Sequence, residues 1–130
     1  MYEVSIRKHF DAAHYLRGYQ GKCETIHGHR YEVVATVRAR ETDEIGLAYD
    51  FSVLKKQLGR ILDRLDHKCV NDVPPFDEIN ASAENIARTI CQQLQPMLQG
   101  TGTHLHSVQV FESPDSAVTY FPDEAQVDQP

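Results

Sequence analysis

From Tyr2 to His14 the chain alternates, with Tyr2, Val4, Ile6, Phe10 and Ala12 on one parity and Glu3, Ser5, Arg7, His9 and Asp11 on the other. Successive side chains of a strand point to opposite faces, so this period belongs to a half-buried β-strand and not to a helix. A loop rich in glycine and polar residues (16–26) follows, and residues 29–39 alternate again with Tyr31, Val33, Ala35 and Val37 on one face. If that loop is a wide hairpin, the two strands are antiparallel. Residues 41–46 read as a turn.

The period then changes. Asp50 is placed to cap a helix in which Phe51, Leu54, Leu58, Ile61, Leu62 and Leu65 recur at three- and four-residue steps. Asn71-Asp-Val-Pro-Pro75 breaks it off. A second helix runs from about Ser82 with Ile86, Ala87, Ile90, Leu94 and Met97 on its apolar face, and Pro96 should end or kink it near Gln95. Two short alternating segments, 105–112 and 117–121, hinge at Ser113-Pro-Asp-Ser116. The order strand, strand, helix, helix, strand, strand predicts an α+β fold, an antiparallel four-stranded sheet with both helices on one face. A length of 130 residues suits one domain with one core, here residues 1–122, followed by a frayed tail over 123–130.

A net charge of −6 with scattered Lys and Arg leaves no electrostatic footprint for nucleic acid or anionic lipid, which points to a small-molecule partner. The amino end lacks the basic-then-apolar pattern of a signal peptide, so a cytoplasmic protein is expected. No apolar run approaches the roughly 20 residues that cross a bilayer. Three cysteines, at 23, 69 and 91, are too few and too odd for a disulfide framework and read as free thiols.

Seven histidines are the unusual feature, because imidazole is the commonest metal ligand and proton shuttle near neutral pH. In His27-Gly-His29 two imidazoles share a strand face with Cβ atoms about 6.5–7 Å apart, a gap one metal ion can bridge. His14 ends the preceding strand on the inward parity and can approach that pair. Three neutral imidazoles without an obvious fourth ligand match a catalytic zinc, which keeps one position open; the alternative is three surface histidines.

Cys23 lies four residues before His27, in a loop that returns near the metal, either as a ligand or beside a substrate. A thiol near a cation and a basic partner has a lowered pKa and can act as a base. Asp66-His67 offers a carboxylate and an imidazole that could polarise that thiol, or simply a histidine at the end of a helix. Glu112 shares the parity of Val108 and Val110, so its carboxylate on an apolar face wants a cationic or N–H-bearing partner, a ligand or an ion pair. Cys69 and Cys91 read as packing residues, and His9, His104 and His106 as solvated or core histidines, with a second metal site at His104 and His106 left open.

Taken together, Phe10-Asp-Ala-Ala-His14, Cys23-Glu-Thr-Ile-His-Gly-His29, Asp50-Phe51, Leu65-Asp-His67, Val70-Asn-Asp72 and Glu112 form a recognisable set. The chain resembles the 6-pyruvoyl-tetrahydropterin synthase superfamily, most closely its bacterial branch, the 6-carboxy-tetrahydropterin synthases of queuosine biosynthesis. The resemblance implies a T-fold subunit that closes a barrel as a trimer and stacks as a hexamer, with active sites between subunits. It implies Zn2+ on His14, His27 and His29, Cys23 as general base, Asp66 and His67 as its activating pair, and Glu112 as anchor for the pterin N–H groups. The implied activity is that of a lyase converting 7,8-dihydroneopterin triphosphate to 6-carboxy-5,6,7,8-tetrahydropterin, acetaldehyde and triphosphate. Relatives forming 6-hydroxymethyl-dihydropterin carry Glu-x-x-His-Gly-His, and here Glu24 follows Cys23, so Glu24 is an alternative base. A pyruvoyl-forming relative and a non-catalytic metal- or pterin-binding module are the competing expectations.

Overall fold

The computed structural model describes residues 1–18 and 25–122. Two 13-residue strands, β1 (Tyr2–His14) and β2 (His27–Ala39), pair antiparallel along their whole length, from Tyr2 opposite Ala39 to His14 opposite His27. The register is set by parity. A slip of one residue would carry Ile6, Phe10 and Ala12 to the solvent face, and all three are buried.

After the helices, β4 (Thr103–Ser113) pairs with β2, and β5 (Ser116–Tyr120) folds back on β4, both antiparallel. The four expected strands are thus joined in one sheet, to which a two-residue strand, β3 (Lys68–Cys69), adds a parallel rung against Ala12 and Ala13. The sheet order is β3-β1-β2-β4-β5. Two residues carry no periodicity, which is why β3 was not legible from the pattern.

Helix α1 (Phe51–Leu62) opens with the Asp50 carboxylate accepting from Ser52 N–H at 2.8 Å, and buries Leu54, Leu58, Ile61 and Leu62. It ends at Leu62, before the Asn71-to-Pro75 breaker, and Leu65 reaches the core from the turn that follows. Phe51, expected on the apolar stripe, is exposed at the first position of the helix. Helix α2 (Ala83–Leu94) is capped by Ser82, whose hydroxyl accepts from Asn85 N–H at 3.1 Å. Pro96 lacks an N–H, and the chain tightens into a 3-10 turn over Gln95–Leu98. Ser82→Ala is expected to cost about 1 kcal/mol, read as a lower chemical-denaturation midpoint at unchanged slope.

Both helices cover one face of the sheet. Phe10, Tyr31, Val33, Ala35, Val108 and Val110 meet Leu54, Leu58, Ile86, Ile90 and Leu94 there. The opposite face carries rungs of charge: Arg7 with Glu32, Arg30 with Asp11, and Arg38 with Glu3. No described helix is long and apolar enough to cross a membrane. The 123–130 tail expectation lies outside the described residues.

Candidate metal centre and candidate acid–base pair

The β1–β2 register places His14 opposite His27, and Ala12 opposite His29. Three imidazoles therefore converge at one end of the covered face, with ring centroids 4.6 Å (His14–His27), 5.1 Å (His14–His29) and 4.6 Å (His27–His29) apart. A fourth side chain joins them. The β4–β5 register slips between Phe111 and Ser113, and the unpaired residue is Glu112. Such a bulge re-aims its side chain. Glu112 Oε1 lies 3.2 Å from His14 Nε2, 3.3 Å from His29 Nε2 and 4.0 Å from His27 Nε2.

The tautomers follow from the hydrogen bonds on the outer side of two rings. His14 Nδ1 donates to the Ala81 carbonyl at 2.7 Å, and His27 Nδ1 donates to the Thr25 carbonyl at 2.6 Å. A neutral imidazole that donates from Nδ1 presents a bare lone pair at Nε2. His14 Nε2 and His29 Nε2 are buried, and although Glu112 Oε1 stands beside both, neither makes a hydrogen bond. Lone pairs aimed at one small volume repel unless a cation sits among them, so these residues fit a divalent metal. Burial holds the His29 imidazole below its ordinary pKa; the Glu112 charge opposes this, while His27 and His14 act in the same direction as burial. Neutral rings are the form a metal needs.

Beneath the histidines, Tyr31 stacks on Phe10 at 4.8 Å and meets the edges of His14 and His29. Its phenol is buried and without a partner; burial drives its pKa up, helped by Glu112 and Cys69. The segment leaving His14 is pinned by two amides that mimic a peptide pair. Asn71 accepts from Tyr15 N–H at 3.0 Å and donates to Tyr15 C=O at 3.1 Å, and Asn80 does the same for Arg17 at 2.9 and 3.0 Å.

A cavity of about 410 Å3 opens beside the centre, lined by His29, Glu112, Phe111 and Arg7 among others. A larger hollow of about 550 Å3, walled by Arg38, Tyr49, Thr101 and His104, includes none of the centre's residues. The smaller cavity is the one that adjoins residues able to hold a metal.

Asp66 and His67 are brought together, but with each other and not with the three imidazoles. His67 Nδ1 lies 3.0 Å from Asp66 Oδ2. The other carboxylate oxygen, Oδ1, accepts from Asp11 N–H at 2.9 Å, and His67 N–H donates to the Asp11 carbonyl at 2.6 Å. The His67 backbone is left-handed, φ 59°, which is uncommon for a residue with a Cβ. Its side chain is 79 % exposed, so an oriented imidazole faces outward. The Asp11 N–H, and after it His67, hold the Asp66 carboxyl below the usual carboxylate value.

That direction fixes a sign. A depressed folded-state pKa contributes stability above the unfolded value near pH 4, lost as pH falls through the folded value. Asp66→Asn is accordingly expected to flatten the acid limb of a melting-temperature profile taken below about pH 4.

Cys23 and Glu24 lie outside the described residues. Among those described, His104 and His106 join no group able to hold a metal. His106 is the extra residue of a bulge against β2 and packs on the Phe121 ring.

A family model described as 6-pyruvoyl tetrahydropterin synthase matches residues 3–123. The chain belongs to this family. The 6-carboxy-5,6,7,8-tetrahydropterin synthase of Synechocystis sp. is 38 % identical over 86 % of this chain and 87 % of the relative. The human 6-pyruvoyl tetrahydrobiopterin synthase is 36 % identical over 77 % of this chain and 70 % of the relative. Among solved structures, that of the Caenorhabditis elegans 6-pyruvoyl tetrahydropterin synthase superposes with a TM-score of 0.81 at 29 % identity, over 95 % of this chain and 98 % of that one. The T-fold of the 6-pyruvoyl tetrahydropterin synthase family is thus the fold of this chain, α+β with a mostly antiparallel sheet.

The spacing brings the three histidines of this family member together and asks for a cationic or N–H-bearing partner for Glu112, a ligand or an ion pair, without indicating that its carboxylate stands within reach of all three rings. The bulge at this residue has no sequence signature. Asn71 enters the sequence reading as part of a helix breaker and of the Val70-Asn-Asp72 match, and neither marks it or Asn80 as a clamp on the segment after His14. Their being amides, each a donor and an acceptor, was the available signal for a backbone clamp.

Proposed function

We propose that the chain is a zinc-dependent lyase of the carboxy-forming branch, converting 7,8-dihydroneopterin triphosphate to 6-carboxy-5,6,7,8-tetrahydropterin, acetaldehyde and triphosphate. The observation that carries this reading is the convergence of three imidazoles, two of which (His14 and His29) bury Nε2 atoms that make no hydrogen bond, in a chain 38 % identical to a protein of that name. His14, His27 and His29 would hold the metal. Bound there, Zn2+ supplies Lewis acidity toward the substrate's side-chain hydroxyls.

The chain's own residues do the rest. Cys23, in the loop that leads into His27, takes the proton from the substrate side chain. Asp66 orients His67 so that Nε2 faces outward and can accept a proton from that thiol. Because the pair forms a cluster separate from the metal group of its own chain, it would be supplied by a neighbouring copy in an oligomer, a hexamer on this reading. Glu112 is 33 % exposed at the cavity mouth and turns its carboxylate to the N–H groups of the pterin ring, leaving the metal to the histidines.

A second reading, pyruvoyl formation, draws on the 36 % identity to the human protein. Incubation with 7,8-dihydroneopterin triphosphate and mass spectrometry of the products separates the two. Acetaldehyde and the carboxy product are expected; a pyruvoyl product without acetaldehyde contradicts the carboxy reading. Cys23→Ala should keep the metal and stop product formation, whereas unchanged turnover points to Glu24 as the base. Absence of turnover in the parent favours a binding module.

A further inference from the structure

Asp11 holds the acid–base pair through its backbone alone. Its N–H serves Asp66 and its carbonyl serves His67, while its carboxylate does neither. Both carboxylate oxygens are occupied by Arg30 across the β1–β2 ladder, Nε to Oδ1 at 2.9 Å and Nη2 to Oδ2 at 3.1 Å. Asp11, Asp66 and His67 nevertheless bring ligand atoms within 4.8 Å of one another. Two carboxylates therefore stand beside one imidazole. Released from Arg30, the Asp11 carboxylate is a second acceptor for His67 Nδ1 and a like charge beside Asp66.

We infer that Arg30 is a positioning residue for the acid–base pair: by holding both oxygens of Asp11 it leaves Asp66 the sole acceptor for His67 Nδ1, and so fixes the direction of Nε2. The inference rests on the reading of Asp66 and His67 given above. A stability role is the weaker explanation, because the two side chains are 60 % and 37 % exposed and exposed pairs contribute little. What the bidentate fork supplies is orientation, which an exposed imidazole on a left-handed backbone cannot obtain from packing.

The test compares Arg30→Leu, Arg30→Lys, Asp11→Asn and the Asp11→Asn/Arg30→Leu double variant, with His67→Asn as reference, in the assembled protein. Arg30→Leu should lower kcat about tenfold at unchanged KM and metal content, a coupling usual for neighbours in one network. Arg30→Lys, which cannot form the fork, should recover part of the loss. Adding Asp11→Asn to Arg30→Leu should restore most of kcat, since the competing charge is gone. A double variant no better than Arg30→Leu means simple structural damage and overturns the inference. So does parental kcat in Arg30→Leu when His67→Asn has lost activity. Parental kcat in His67→Asn overturns the acid–base reading itself, and this inference with it.

Discussion

Replacing His29 with alanine is expected to empty the metal centre and abolish turnover while leaving the fold intact. Losing only an outer hydrogen-bond partner of a ligand weakens metal binding by about 10–100-fold, so losing a ligand should cost at least about a hundredfold. His29 is the clean choice because its side chain is 25 % exposed and its removal strands no backbone group. His14 is 1 % exposed and donates to the Ala81 carbonyl, so His14→Ala adds a cavity and an orphaned acceptor to the loss of a ligand. Metal content after desalting, read beside the melting temperature, distinguishes the two. His29→Ala should lose metal with near-parental folding in the presence of chelator, and His14→Ala should lose both.

The second large effect is on the chemistry. His67→Asn removes the outward imidazole and is expected to lower kcat by about 10²–10⁴-fold, the usual share of a positioned acid–base group. Metal content should stay at the parental level, because His67 belongs to a separate cluster, with Asp11 and Asp66. If the pair serves a neighbouring copy, mixing unfolded His67→Asn and His29→Ala chains and refolding them together should restore activity, because some sites then pair an intact metal group with an intact acid–base pair. No recovery in the mixture would place both on one chain.

Much of this fold was legible because two long strands obey a strict period. The inward set Ile6, Phe10, Ala12 and His14, and its partner set His29, Tyr31, Val33 and Val37, leave one register that buries both. That register alone brings the three histidines together, so spacing within the strands was enough to place them. Glu112 was different. Its parity marked it as inward, but its place beside the imidazoles depends on strand pairing across the sheet, and the register slip at this residue is an outcome of pairing that local sequence does not encode.

The Asp66–His67 pair was visible as a dipeptide, whereas its surroundings were not. Asp11 lies 55 residues away and contributes backbone groups, which every residue has. Arg30 reads from sequence as one more exposed strand charge. Helix α1 stopping at Leu62 is a similar case, since Leu65 keeps the helical spacing yet fills the core from a turn.

The most direct test is the divalent metal content of the purified, extensively dialysed protein, with and without a strong chelator. The account predicts about one zinc per chain, held by the three histidines, with turnover that falls on stripping and returns on re-addition. A protein that carries no divalent metal, and turns over substrate equally well after chelation, would contradict it.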